Sequence, residues 1–123
     1  MTEPVATLHV CTTCRAGQTL AEGEPFPGAL LHAEITRQAE GRPLQVREVK
    51  CLSSCTRGAA ACISMPGKWS YLLGDLTPGL IPDLLDYCAS YAASKTGTVL
   101  PSRRAASLQN FILGRFPSQE IAA

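Results

Sequence analysis

Residues 5 to 10, Val-Ala-Thr-Leu-His-Val, alternate so that Ala6, Leu8 and Val10 share one face, the period-two pattern of a half-buried strand. The stretch from Arg15 to Gly28 holds three Gly and two Pro among polar residues and reads as loop. Over residues 29 to 40 the period changes. Leu31, Ile35 and Ala39 recur at helical spacing, and Gly41 and Pro43 supply the stop. Leu44 to Lys50 is Val-rich and too short for a helix, which predicts a second strand. Residues 60–65 and 69–73 flank Pro66-Gly67 and predict a hairpin. Finally, Ile81, Leu84, Leu85, Cys88, Tyr91 and Ala92 fall on one face of a helix running to Ser94. Its start is open between Pro78, with Thr77 as cap, and Pro82. The expected order is β, α, β, β, β, α, an α/β domain whose helices cover a sheet.

Residues 95 to 123 change character. Lys95, Arg103, Arg104 and Arg115 stand against the single acid Glu120, a local charge of +3, while residues 1 to 94 carry −2. The same stretch holds Leu108, Phe111, Ile112, Leu113 and Phe116, too apolar to be merely solvated. We therefore expect a domain over 1–94 and a basic C-terminal extension over 95–123 that docks on the domain or on a second copy.

The chain has 123 residues, enough for one core, and seven aromatic side chains, so Leu, Ile, Val and Ala must fill it. A net charge of +1 offers no field for nucleic acid. No apolar run approaches the roughly 18 residues of a spanning helix, and Met-Thr-Glu-Pro has none of the regions of a signal peptide. These features predict a cytoplasmic protein with neither nucleic-acid nor membrane partners.

Six cysteines are the unusual feature, and in a reducing compartment close pairs point to metal or redox chemistry rather than to disulfides. Cys11 and Cys14 follow the first predicted strand, and Cys51 and Cys55 follow the second, with 36 residues between the pairs. Strands joined through a crossover helix are parallel, so both cysteine loops leave the same sheet edge. Four thiolates there suit a two-iron cluster, two per iron, or one tetrahedral zinc. The cluster gains a further negative charge on reduction; Arg15 and Arg57 are the candidates to offset it, with solvent-facing loop residues as the alternative.

A thioredoxin-type dithiol at Cys11-Thr-Thr-Cys14 is a third reading. It wants a helix N-terminus directly at the first thiol, where here a loop of about 14 residues intervenes, and it leaves Cys51 and Cys55 without a role. Cys88 reads as core. Cys62 reads as a buried strand residue, with a spare ligand or redox relay as the alternative. His9 and His32 have no catalytic partners in the sequence, although His9 is near enough to Cys11 to hydrogen-bond beside a cluster. Glu34, Asp83 and Asp86 read as helix surface charges, and Trp69 and Tyr71 as core.

The segment Val49-Lys-Cys-Leu-Ser-Ser-Cys-Thr-Arg-Gly-Ala-Ala-Ala-Cys-Ile-Ser-Met65, with the hairpin and Gly74-Asp-Leu-Thr-Pro78 after it, resembles the thioredoxin-like [2Fe–2S] ferredoxins, including the cluster subunit of respiratory complex I. The resemblance covers about residues 5 to 94. Val10-Cys-Thr-Thr-Cys-Arg15 with Gly67-Lys-Trp-Ser-Tyr71 is also similar to a bacterial family of predicted metal-binding proteins, associated in part with cobalamin-synthesis gene neighbourhoods. What the resemblance implies is a thioredoxin-like βαβββα fold and a [2Fe–2S] cluster on Cys11, Cys14, Cys51 and Cys55. It further implies a one-electron carrier rather than an enzyme, a redox partner protein, and a homodimer. Zinc binding or metal handling by the same four cysteines is the alternative.

Overall fold

A computed structural model of the chain describes residues 5–12, 23, 26–50, 59–99, 108 and 111–117. The elements are β1 (Ala6–Cys11), α1 (Pro27–Gln38), β2 (Leu44–Val49), β3 (Ala59–Ser64), β4 (Ser70–Leu76), a 3₁₀ turn (Pro78–Leu80), α2 (Ile81–Ala93) and β5 (Ile112–Phe116). They build a mixed α/β sheet in the order β2-β1-β3-β4-β5. β1 and β2 are parallel, in register from Ala6 opposite Leu44 to Cys11 opposite Val49, and the other three pairings are antiparallel.

The apolar pattern decides which face is covered. Ala6, Leu8 and Val10 of β1, Ala61 and Ile63 of β3, and Tyr71 and Leu73 of β4 form one buried cluster with Leu31 and Ile35 of α1 and Ile81, Leu84, Leu85 and Cys88 of α2. Both helices therefore pack on the same side of the sheet. The alternate residues Thr7, His9, Cys62, Ser64, Ser70 and Leu72 point the other way and are half-buried.

Each helix carries a proline in its first turn, where the fixed φ fits and the missing N–H would have no helical acceptor. α1 ends where Gly41 turns the chain at φ 82°. The two starts expected for the second helix are both used. Pro78 opens the 3₁₀ turn, closed by Leu80 N–H donating to Thr77 O at 3.0 Å, and Pro82 lies in the first turn of α2. Thr77 stands at the cap position, but its side chain makes no capping bond.

Two features depart from the expected pattern. Tyr87, off the expected face of α2, is buried because Phe111 packs edge-on against it with ring centroids 4.9 Å apart. In addition, the stretch after residue 94 contributes a strand. β5 pairs with β4 from Leu73 opposite Ile112 to Ser70 opposite Phe116, Gly74 N–H donates to Phe111 O at 2.8 Å, and the Arg115 guanidinium lies 4.4 Å from the Trp69 ring centroid. Irregular alternation hid this strand, since Gly114 and Arg115 interrupt the apolar run and the pairing itself shifts between Leu72 and Leu73.

The hairpin turn is pinned to the C-terminal end of α2. Lys68 Nζ donates to Ala92 O at 2.5 Å and to Tyr91 O at 3.4 Å, so a cation meets the negative end of the helix dipole. Tyr91 Oη donates to Trp69 O at 2.5 Å, and Trp69 N–H donates to Thr96 O at 2.9 Å. Gly97 closes this knot at φ 86°, where a Cβ would lie 2.6 Å from Tyr91 Cε2 and 3.1 Å from Trp69 O. Gly41, at φ 82°, has nothing within 4 Å of such a Cβ. Gly97→Ala is expected to cost about 3 kcal/mol, from backbone strain plus overpacking, and Gly41→Ala only about 1 kcal/mol, from strain alone. Urea unfolding of the two variants measures the difference.

Candidate metal centre

Cys11 is the last residue of β1 and, by strand alternation, points away from the helices. It is nonetheless 2% exposed, and it forms a small buried cluster of its own with Ala60 of β3. Three contacts bind this strand end to the neighbouring one. Thr12 N–H donates to Val49 O at 2.8 Å, Thr12 Oγ1 donates to the same carbonyl at 3.2 Å, and the Cys11 thiol donates to Lys50 O at 3.5 Å.

The strand order gives this position its character. β1 lies between β2 and β3, so β2 ends on one side of Cys11 and β3 begins on the other. The nine residues that join Val49 to Ala59 carry Cys51 and Cys55, and the chain leaving Thr12 carries Cys14. Cys14, Cys51 and Cys55, with Arg15 and Arg57, lie outside the described residues. Among the described residues no group of three or more His, Cys, Asp or Glu side chains is gathered to hold a metal. A buried thiol at a sheet edge, near a chain end that leads to two further thiols, has the donor chemistry that iron–sulfur clusters and zinc both take.

Cys62 lies on the same face but one row further back. It is opposite His9, whereas Cys11 is flanked by Ala60. One row along a strand is two residues, about 7 Å. Cys62 belongs to a strand, as expected, yet it sits on the face away from α1 and α2 and is half-buried rather than buried, and desolvation pushes its thiol up. His9 lies between Arg47 on β2 and Cys62 on β3.

The remaining candidates are structural. Glu34 is on the surface of α1, where hydrogen bonds from Arg37 and Gln38 hold its carboxyl at about 2. Asp86 faces Arg42 at 4.0 Å between exposed side chains. Tyr71 is buried and Trp69 packs against the core, as their spacing predicts. The apolar cleft bounded by Arg42, Leu44, Leu85 and Cys88 opens beside the start of β2, at the opposite sheet edge from Cys11.

Residues 8–118 match the model of a family described as protein of unknown function DUF1636. The chain belongs to that family. No curated protein matches it. Among solved structures, the DUF1636 chain is similar to a thioredoxin-like [2Fe–2S] ferredoxin from Aquifex aeolicus. The TM-score is 0.58 at 9% sequence identity, over 98% of this chain and 100% of that one. At that identity the likeness establishes a shared fold, so this DUF1636 protein has the thioredoxin-like architecture expected from its sequence. No helix among the described residues is long and apolar enough to cross a membrane.

The sequence marks Cys11 but not the contacts at its strand end, the Thr12 hydroxyl on the Val49 carbonyl and the Lys50 carbonyl at the thiol. A hydroxyl directly after a strand-terminal cysteine was the available signal for the first. A backbone carbonyl leaves no trace in the residue pattern.

Cys88 is buried on the core side of α2, and desolvation pushes its thiol up to about 12. The same cause raises Tyr91. In the unfolded chain the Cys88 thiol ionises near its ordinary value of 9.0. The stability that comes from keeping it neutral is therefore whole below about pH 9 and is lost as pH climbs towards about 12. Thermal unfolding followed across this window is expected to fall steeply for the parent chain. Cys88→Ala should fall less steeply and keep only the decline due to Tyr91 and the other raised groups.

Proposed function

We propose that this protein is a [2Fe–2S] electron carrier whose cluster is held by Cys11, Cys14, Cys51 and Cys55. The observation that carries the reading is the position of Cys11. It is buried at the end of a strand whose two neighbours finish and start on either side of it, and the connection between them bears Cys51 and Cys55. The thioredoxin-like fold shared with a [2Fe–2S] ferredoxin supports the same reading.

When bound, such a cluster supplies reversible uptake of a single electron. The protein's part is to hold the thiolates at fixed separation and to temper the negative charge. The parallel β1–β2 ladder performs the first task, because two strand ends hydrogen-bonded to each other cannot drift apart. Arg15 and Arg57 are assigned to the second. The Cys11 and Ala60 cluster keeps water from the sulfur on the sheet side, which favours a slow loss of metal.

As a carrier, the chain needs a donor and an acceptor protein rather than a substrate pocket. The sequence similarity to proteins from cobalamin-synthesis neighbourhoods makes a cobalt- or corrin-reducing enzyme the acceptor to test first. A homodimer belongs to the same proposal, and sedimentation equilibrium should give twice the chain mass of 13.1 kDa.

Anaerobically purified protein is expected to be red-brown, with iron and acid-labile sulfide near two each per chain, and to give an electron-spin signal on reduction. Serine at any one of Cys11, Cys14, Cys51 or Cys55 should abolish or deplete the cluster, whereas Cys62→Ser and Cys88→Ser should retain it. A colourless protein with one zinc per chain overturns the carrier in favour of metal handling. Loss of the cluster in Cys62→Ser but not in Cys14→Ser reassigns the fourth ligand.

A further inference from the structure

We infer that Thr12 is a positioning residue for the metal centre, because its side chain sets the separation of the two cysteine-bearing chain ends. The inference rests on reading this sheet edge as a metal site and assigns a role to a residue that supplies no ligand atom.

Thr12 lies one residue past β1, just beyond the last ladder pair of Cys11 and Val49. Its N–H continues the backbone pairing onto Val49 O at 2.8 Å, and its hydroxyl adds a second bond to that oxygen at 3.2 Å. One residue thus donates two hydrogen bonds to a single carbonyl, which has two lone pairs to receive them. The rung stands next to the cysteines of both chain ends. Thr12 lies between Cys11 and Cys14, and Val49 is two residues before Cys51. Any motion that parts the two chain ends must first stretch these bonds.

The backbone half of this clamp is available to any residue except proline. The hydroxyl half is specific to Thr or Ser, and Thr adds the β-branch that suits an extended strand end. The third contact at the edge, from the Cys11 thiol to Lys50 O at 3.5 Å, depends on the sulfur's proton. A metal-bound sulfur is a thiolate and has no proton to donate, so that contact belongs to the metal-free chain. Neither Thr12 bond involves a group that changes state on loading, so both persist and carry the alignment of the loaded site.

The test compares Thr12→Val, which keeps the shape and backbone N–H but removes the hydroxyl, with Thr12→Ser, which keeps the hydroxyl. Each is loaded with the metal that the parent chain binds, and the rate of metal release to a chromophoric chelator is measured with the visible spectrum and the melting temperature of the metal-free chain. Loss of one neutral hydrogen bond is expected to speed release in Thr12→Val by about 2- to 10-fold. The metal-free melting temperature should stay within about 3 °C of the parent, and Thr12→Ser should restore slow release. Unchanged release from Thr12→Val overturns the inference. So does faster release that is matched by a fall in the metal-free melting temperature and not rescued by Thr12→Ser, because the residue is then only structural. A parent chain that binds neither iron nor zinc overturns the metal-site reading, and the role of Thr12 with it. That result is distinct from a loaded parent with an indifferent Thr12→Val.

Discussion

The parallel pairing of β1 with β2 is the constraint on which the rest of the molecule depends. Parallel strands finish at the same sheet edge, and in this chain both finish at cysteine-bearing connections. An antiparallel pairing of the same two strands would send those connections to opposite edges, about a strand length apart. The remaining pairings are antiparallel, and of these only β3 with β4 comes from a short-range connection, so the sheet is parallel only at its β1–β2 end.

The one-sided packing of the helices has a second consequence. Because α1 and α2 share a face, the core is a single layer of Leu, Ile, Ala and Tyr side chains between sheet and helices. The reverse face mixes polar and sulfur-bearing residues with Ala60 and Leu72. Cys11 and Cys88 show how differently the two sides treat the same functional group. Cys88 is enclosed by hydrocarbon, which holds its proton in place. Cys11 is equally hidden from water, yet it lies at a strand end beside a carbonyl and at the mouth of two further cysteine connections. Low exposure alone therefore does not distinguish the two thiols. Position relative to the strand ends does.

The C-terminal part of the chain closes the other side of the fold. Lys68 and Tyr91 tie the hairpin to the end of α2, Gly97 permits the close approach, and β5 extends the sheet beyond β4. These contacts stiffen the half of the sheet that carries no candidate ligand. Among the described residues, the cysteine edge is held by the end of one ladder, the hydroxyl of Thr12 and the Cys11 thiol.

Much of this was legible in the residues themselves. Alternation in β1, the Leu31, Ile35 and Ala39 stripe of α1, and the Pro-Gly hairpin are local patterns, and local patterns report which face of an element is apolar whatever that face later meets. The Cys-x2-Cys and Cys-x3-Cys spacings are equally local, and with them the candidate ligands. The burial of Tyr87, the strand at Ile112–Phe116 and the half-buried position of Cys62 were not legible, because each depends on packing distant in sequence: Phe111 for the ring, β4 for the strand, and for the thiol a sheet face that neither α1 nor α2 covers. The clamp at Thr12 is of the same kind. A hydroxyl in a sequence has many acceptors open to it, and only the folded ladder, which brings Val49 alongside after a separation of 37 residues, selects one.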